Sequence, residues 1–373
     1  MHLLIISSQS STFQNATALA TACHAAAAGQ RVLLIGTGPS GLLGQLMGEP
    51  LEPTPRDVSP NLQAMELVAL EELGRGWEAL RTGSTIPVPS RLREVEKDEL
   101  PGFPGMDEVA ALAAAAQAVR GASFDLVVVG GPATDCLLRG ITLRDTARWL
   151  LRLIGGLDRG PGKSQSSQEK ALLPISLLAP NAASMLQELR VLLERYVSWL
   201  DASTGTRVRL VMPAEEVSVP VMRHVMGGMG LYGLEVDAVF VHGDEADIDP
   251  TVHQKLGSTI TPFPIPVTPT SLEEWANRGA YLYEKRDTGL GLPEQAEMAT
   301  FPPPVSEPQQ VRLHIPFLEA KSLDVGFSNE EVIVRMGQFR RHILVAGIGQ
   351  GGRLRAGIEG EILRLWVETE PGT

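Results

Sequence analysis

Leu3-Leu4-Ile5-Ile6-Ser7-Ser8-Gln9-Ser10-Ser11-Thr12-Phe13-Gln14-Asn15-Ala16 joins a short apolar run to a cluster of small polar residues, and an alanine-rich stretch from Ala16 to Ala28 follows. After Gly29 comes a second apolar run, Arg31-Val32-Leu33-Leu34-Ile35-Gly36. Strand, loop, helix, strand is the order of a βαβ unit whose helix N-terminus turns free N–H groups and the positive end of its dipole toward the loop. A loop that grips a polyphosphate there uses glycines, so the backbone can wrap the phosphates, and a lysine to neutralise them. Ser8 to Ala16 contains neither. The scaffold of an anion site is present without its charge.

Outward from this unit the same pattern recurs. Gly36-Thr37-Gly38-Pro39-Ser40-Gly41 reads as a loop before a helix starting at Leu42, and Asn61 to Leu67 as another strand. Asp107 is placed to cap an alanine-rich helix running to Val119. Phe124-Asp125-Leu126-Val127-Val128-Val129 then forms an unbroken apolar run of the kind that marks a buried parallel strand. Residues 142–203 turn helical in period, with a polar stretch around Ser164, and the strand pattern resumes at Arg207–Met212 and Ala238–His242 with a helix over Val219–Met229 between them. Residues 291–309, containing Phe301-Pro302-Pro303-Pro304-Val305, read as a linker. From residue 310 to 373 the period changes to two, as in short antiparallel strands. The expected fold class is α/β: a mostly parallel sheet with a helical insertion over residues 1–290, then a small antiparallel β sandwich.

Hydrophobic residues make up 43% of the 373 and charged residues 20%, and no apolar run is long enough to cross a bilayer. Leu3 to Ile6 is too short for a signal-peptide core and lacks a basic flank. With 44 acidic against 32 basic residues the net charge is −12, which argues against nucleic acid or an anionic membrane surface as partner. Cys23 and Cys136 share no C-x-x-C spacing, so neither a zinc site nor a disulfide framework is expected, and a reducing, cytoplasmic setting is.

Several loops match one family in order. The chain resembles the ArsA type of P-loop ATPases, which includes the arsenical-pump ATPase and the factor that targets tail-anchored membrane proteins. The family loop G-K-G-G-V-G-K-T-T falls on Ser8 to Ala16. The resemblance thereby puts Gln9 at the intermonomer lysine, Gln14 at the phosphate-gripping lysine and Asn15 at the magnesium-binding threonine, with Ser10 and Ser11 in the loop. In the next loop Gly38 stands where the family's water-positioning aspartate would be. Pro104-Gly105-Met106-Asp107-Glu108 matches P-G-x-D-E. Gly130-Gly131-Pro132-Ala133-Thr134-Asp135-Cys136-Leu137-Leu138-Arg139 matches D-T-A-P-T-G-H-T-L-R with Gly130 in place of the metal-linked aspartate. Val211-Met212-Pro213-Ala214-Glu215 is similar to V-x-L-P-E, and His242 stands at the adenine-recognising asparagine. The stretch Ala356 to Leu365 resembles the ending of α-crystallin-like small heat-shock domains, a tail found in ArsA-type proteins of the phototroph lineage.

The resemblance implies a homodimeric pseudo-ATPase, chaperone-like or targeting-like, that binds hydrophobic segments or a protein partner. It implies cytoplasmic location, or plastid stroma if the source is a plant. No cofactor is expected; ATP with magnesium enters only if the chain is a divergent active ATPase that recruits Arg31, Arg56 or Arg139, and a purely structural assembly protein is the third reading. Leu173, Ile175, Leu177 and Leu178 lie where the targeting factor builds its client groove, and a buried helix or dimer contact is equally open for them. His224, His242 and His342 are expected to be structural, with no metal site, and Met222, Met226 and Met229 to be core residues of one helix.

Overall fold

The computed structural model describes residues 2–83, 94–102, 105–121, 123–155, 206–262, 268, 270–283, 310–328, 331–344 and 353–368. The groove candidates Leu173, Ile175, Leu177 and Leu178, the Phe301–Val305 linker and the insertion beyond residue 155 lie outside the described residues.

In chain order the first domain contains β1 (His2–Ser8), α1 (Ser11–Ala27), β2 (Val32–Gly36), α2 (Leu42–Met47), β3 (Arg56–Ser59), β4 (Leu62–Glu66) and α3 (Ala69–Gly83). It continues through α4 (Met106–Gly121), β5 (Leu126–Gly130), α5 (Thr134–Gly155), β6 (Thr206–Pro213), α6 (Val219–Leu231), β7 (Val236–His242), α7 (Pro250–Leu256), β8 (Ile260–Pro262) and α8 (Leu272–Tyr283). The strands form one eight-stranded sheet in the order β3-β4-β2-β5-β1-β6-β7-β8, parallel except for the β3–β4 pair. Strands buried on both faces read as continuous apolar runs, which is why β2 and β5 are visible in the sequence.

Side chains alternate between two cores. Leu3, Ile5, Val127 and Val129 face α4, α5 and α6, while Leu4, Ile6, Val128 and Leu34 face α1, α2 and α8. On the second face Trp275 of α8 is fully buried and its Nε1 donates to the Leu46 carbonyl at 3.2 Å. Fully buried Arg209 of β6 forms paired bonds of 3.0 Å to Asp237 of β7, and its guanidinium lies 5.2 Å from the centre of the Tyr283 ring. Burial works against the charged form of Arg209, and its interactions with the Asp237 carboxylate and with Tyr283 outweigh it and raise the pKa.

Beyond the linker lie β9 (Gln310–His314), β10 (Leu323–Ser328), β11 (Glu331–Met336), β12 (Phe339–Leu344), β13 (Arg353–Glu359) and β14 (Ile362–Glu368). They make two 3-stranded antiparallel sheets, β10-β11-β12 and β13-β14-β9. This tail is seated against the first domain: Val332, Val334, Met336, Phe339 and Ile315 share a core with Met222, Met226 and Met229 of α6, which are buried as expected.

Two local expectations change. α1 begins at Ser11, not Ala16, because Ser10 caps it (Phe13 N–H to Ser10 Oγ, 3.5 Å) and Thr17 Oγ1 returns to the Phe13 carbonyl at 2.8 Å. Gln14 and Asn15 are therefore helical. Likewise α4 starts at Met106, so Asp107 lies within its first turn, where a carboxylate still favours the positive end of the helix.

Candidate functional site

In an open parallel sheet, ligands sit at the carboxyl ends of the strands where the strand order reverses. Here the chain builds outward on one side of β1 through β2 and β5, then crosses to β6 on its other side. The loops after β1, β2 and β5 consequently converge.

Asn15 is completely buried at this convergence. Its Nδ2 donates to the Ser11 carbonyl at 2.9 Å and to the Thr37 carbonyl at 2.8 Å, which fixes the orientation of the amide and ties α1 to the loop after β2. Its Oδ1 has no conventional hydrogen-bond donor among the described residues and points at two glycines. A Cβ on Gly130 would stand 2.5 Å from that oxygen, and one on Gly36 would stand 3.3 Å from it. The amide fills the space that a side chain at position 130 would need.

Thr37 extends the knot, its N–H and Oγ1 both donating to the Gly130 carbonyl, at 3.0 and 2.7 Å. Gly131 N–H donates to the Ile6 carbonyl at 2.7 Å, and Ser7 Oγ to the Pro132 carbonyl at 2.9 Å. Gly131 has φ +104°, and a Cβ there would overlap Thr37 Oγ1 and Gln14 Nε2, so this position requires glycine. Gln14 is 2% exposed and reaches toward Gly38 and Gly131, the direction a gripping lysine would take, but it carries no charge.

Phe13 lies against His242, ring centroids 3.9 Å apart and tilted by 33°. Burial lowers the His242 pKa, favouring the neutral ring. Beside this pair a cleft of about 310 Å³ opens between β1, β6, α5 and α6. Its floor is apolar, with Val211, Met212 and Val225, and its rim carries Gln9, Ser10, Asp135, Glu216 and His224. Among the described residues, no lysine or arginine lines it.

The structure thus brings Gln9, Ser10, Ser11, Gln14, Asn15, Gly38, Gly130 and His242 to one end of the sheet. The arginines do not join them. Arg31 pairs with Asp125 (2.6 Å) before β2 and β5, at the opposite end of those parallel strands, and Arg56 pairs with Glu49 at 2.5 Å. Arg139 Nη2 lies 2.9 Å from Cys136 Sγ on α5. Residues the sequence did not single out are Phe13 and Asp135, whose roles come from contacts between distant segments. Only Gly131, in its glycine pair, carried a local signal.

Comparison with known proteins points to one family. A family model described as "Anion-transporting ATPase" matches residues 12–250, and one described as "HSP20-like domain found in ArsA" matches residues 308–345. Two bacterial relatives bear the name "Putative arsenical pump-driving ATPase". The one from Chlorobaculum tepidum is 24% identical over 65% of this chain and 61% of its own length, less than two thirds of that protein. The one from Prosthecochloris vibrioformis is 23% identical over 92% of this chain and 90% of its own. An uncharacterised protein of Streptomyces coelicolor is 27% identical over 92% and 91% respectively.

Proposed function

The chain belongs to the anion-transporting ATPase family, and from that premise we propose that it is a non-hydrolysing member: a homodimer that binds hydrophobic segments or a protein partner in a chaperone-like or targeting-like role. The observation that carries this reading is the matched pair Asn15 and Gly130. Phosphoryl transfer in P-loop enzymes needs a hydroxyl and a carboxylate to hold magnesium, and a lysine on the phosphates. At the positions that the resemblance assigns to those groups stand an amide, a glycine and the neutral Gln14. The amide occupies the volume that an aspartate at 130 would enter. Polyphosphate burial without paired positive charge is costly, and among the described residues the cleft lining offers no lysine or arginine.

An ATPase-driven binder changes affinity for its client with nucleotide state; this one does not. The test is capture of a fluorescent hydrophobic helical peptide by the full chain in the absence of nucleotide, with ADP, and with ATP and magnesium. Equal affinities are expected in all three conditions. A change of about tenfold or more between them, corresponding to about 1.4 kcal/mol of coupling, contradicts the proposal.

A further inference from the structure

We propose that the β11–β12 hairpin of the tail braces the cleft, so that the seating of the tail and the geometry of the cleft wall are coupled through His224. The seam begins at α6, which carries Gly227, Gly228 and Gly230 inside a helix, where glycine is unfavourable by about 1 kcal/mol relative to alanine. Close approach explains them. A Cβ on Gly227 would stand 2.8 Å from Met336 Cε, one on Gly228 2.8 Å from Phe339 Cε2, and one on Gly230 2.5 Å from the His314 carbonyl oxygen. The tail therefore rests on α6 with no slack.

Polar contacts fix its register. Arg341 Nη1 donates to the Leu231 carbonyl at 2.6 Å, Tyr232 OH to the Arg340 carbonyl at 2.7 Å, and the His342 N–H to Asp145 Oδ2 at 3.1 Å, while Arg223 pairs with Glu319. The first three hold the hairpin to α5 and to the C-terminal end of α6, and the last holds the segment before β10 to α6.

At its turn the seam reaches the cleft. Phe339 lies against the His224 ring with centroids 4.8 Å apart, and Gln338 Nε2 is 3.2 Å from His224 Nε2. The same ring nitrogen is 3.4 Å from Asp135 Oδ1, and both His224 and Asp135 line the cleft. Asp135 occupies the first turn of α5, directly after the Gly131–Pro132 segment that is bonded to β1. Displacing Asp135 or His224 from within the cleft must disturb Gln338 and Phe339, and unseating the hairpin must release the His224 wall. The coupling does not depend on the absence of hydrolysis.

Reciprocity makes the inference testable, because a coupling free energy acts equally in both directions whereas simple adjacency need not. Amide hydrogen exchange is followed in the full chain for Gln338→Ala, Phe339→Leu and Asp135→Asn. The hairpin variants are expected to speed exchange at residues 135–138 by about threefold or more, and Asp135→Asn to speed exchange around residues 337–340 by a similar factor. Exchange in β2, on the far side of β1, stays unchanged as the internal control. Acceleration spread evenly over the domain, or an effect in one direction only, overturns the coupling.

Discussion

Gly130→Ala isolates the steric claim at the centre of this account, since it adds one methyl group and no charge. That carbon would stand 2.5 Å from Asn15 Oδ1, 3.2 Å from Ala18 Cβ and 3.3 Å from Asn15 Cα. Asn15 cannot swing aside freely: its Nδ2 is held at 2.9 and 2.8 Å by the Ser11 and Thr37 carbonyls. Relieving the overlap by losing both bonds costs about 1 kcal/mol each, and overpacking a dense core costs about 1–3 kcal/mol. A loss of about 2–4 kcal/mol is expected in urea unfolding monitored by circular dichroism. Asn15→Ala alone should also destabilise, by removing both side-chain bonds and with them the tie to the Thr37 carbonyl, but it removes the oxygen that the added methyl group would strike. The double variant should therefore recover at least about 1 kcal/mol relative to the sum of the single changes. Additivity within about 0.5 kcal/mol, or a Gly130→Ala protein as stable as the parent, would refute the matched-pair argument.

Two further outcomes follow from the packing and charges, and a third from the client groove proposed on the sequence. Gly279→Ala places a methyl group against the Ala20 carbonyl and 2.6 Å from His24 Cβ, so it should pry α8 from α1, cost about 2–4 kcal/mol and shift the fluorescence of buried Trp275. Burial pushes the Glu361 carboxyl up, but bonds from His314, Lys255 and the Phe317 N–H outweigh this and hold it at about 2. A depressed folded pKa gives stability that is present above the unfolded value of about 4.3 and lost as pH falls from there through about 2. After discounting for partial exposure, Glu361→Gln should remove about 1–2 kcal/mol at pH 7 and flatten the acid-unfolding curve below pH 4.3. Leu173→Asp with Leu177→Asp should abolish capture of a hydrophobic peptide with the melting temperature nearly unchanged; unfolding or loss of the dimer in sizing would make these residues core instead.

The α/β architecture was legible because its signals are local and redundant. β1, β2 and β5 are apolar runs that no amphipathic helix would show, and the alanine-rich helices between them left few alternatives. Period-two patterning likewise revealed most of the tail, although β13 escaped there, as did β3 at the edge of the large sheet. β3 is short, with polar Arg56, Asp57 and Ser59, and β13, though it sets Arg353, Arg355 and Gly357 against Leu354, Ala356 and Ile358, has small Ala356 and Gly357 at its centre in place of β-branched residues. The start of α1 escaped because its first turns are polar and are stabilised by side chains folding back onto the backbone. The site was legible as a set of positions but not as a mechanism. Aligned loops located Asn15 and Gly130, yet their mutual fit is a distance between residues far apart in sequence, and so are the Phe13–His242 and His224–Phe339 contacts.

The central proposal is that the strand–loop–helix scaffold of a phosphate site persists here without phosphoryl-transfer chemistry. Release of inorganic phosphate from ATP by the purified full chain, with and without magnesium, tests it most directly when Gln14→Ala and a mock purification are run alongside. The account predicts no magnesium-dependent release above the mock in either protein. Turnover that scales with protein concentration, requires magnesium and is abolished by Gln14→Ala would contradict it.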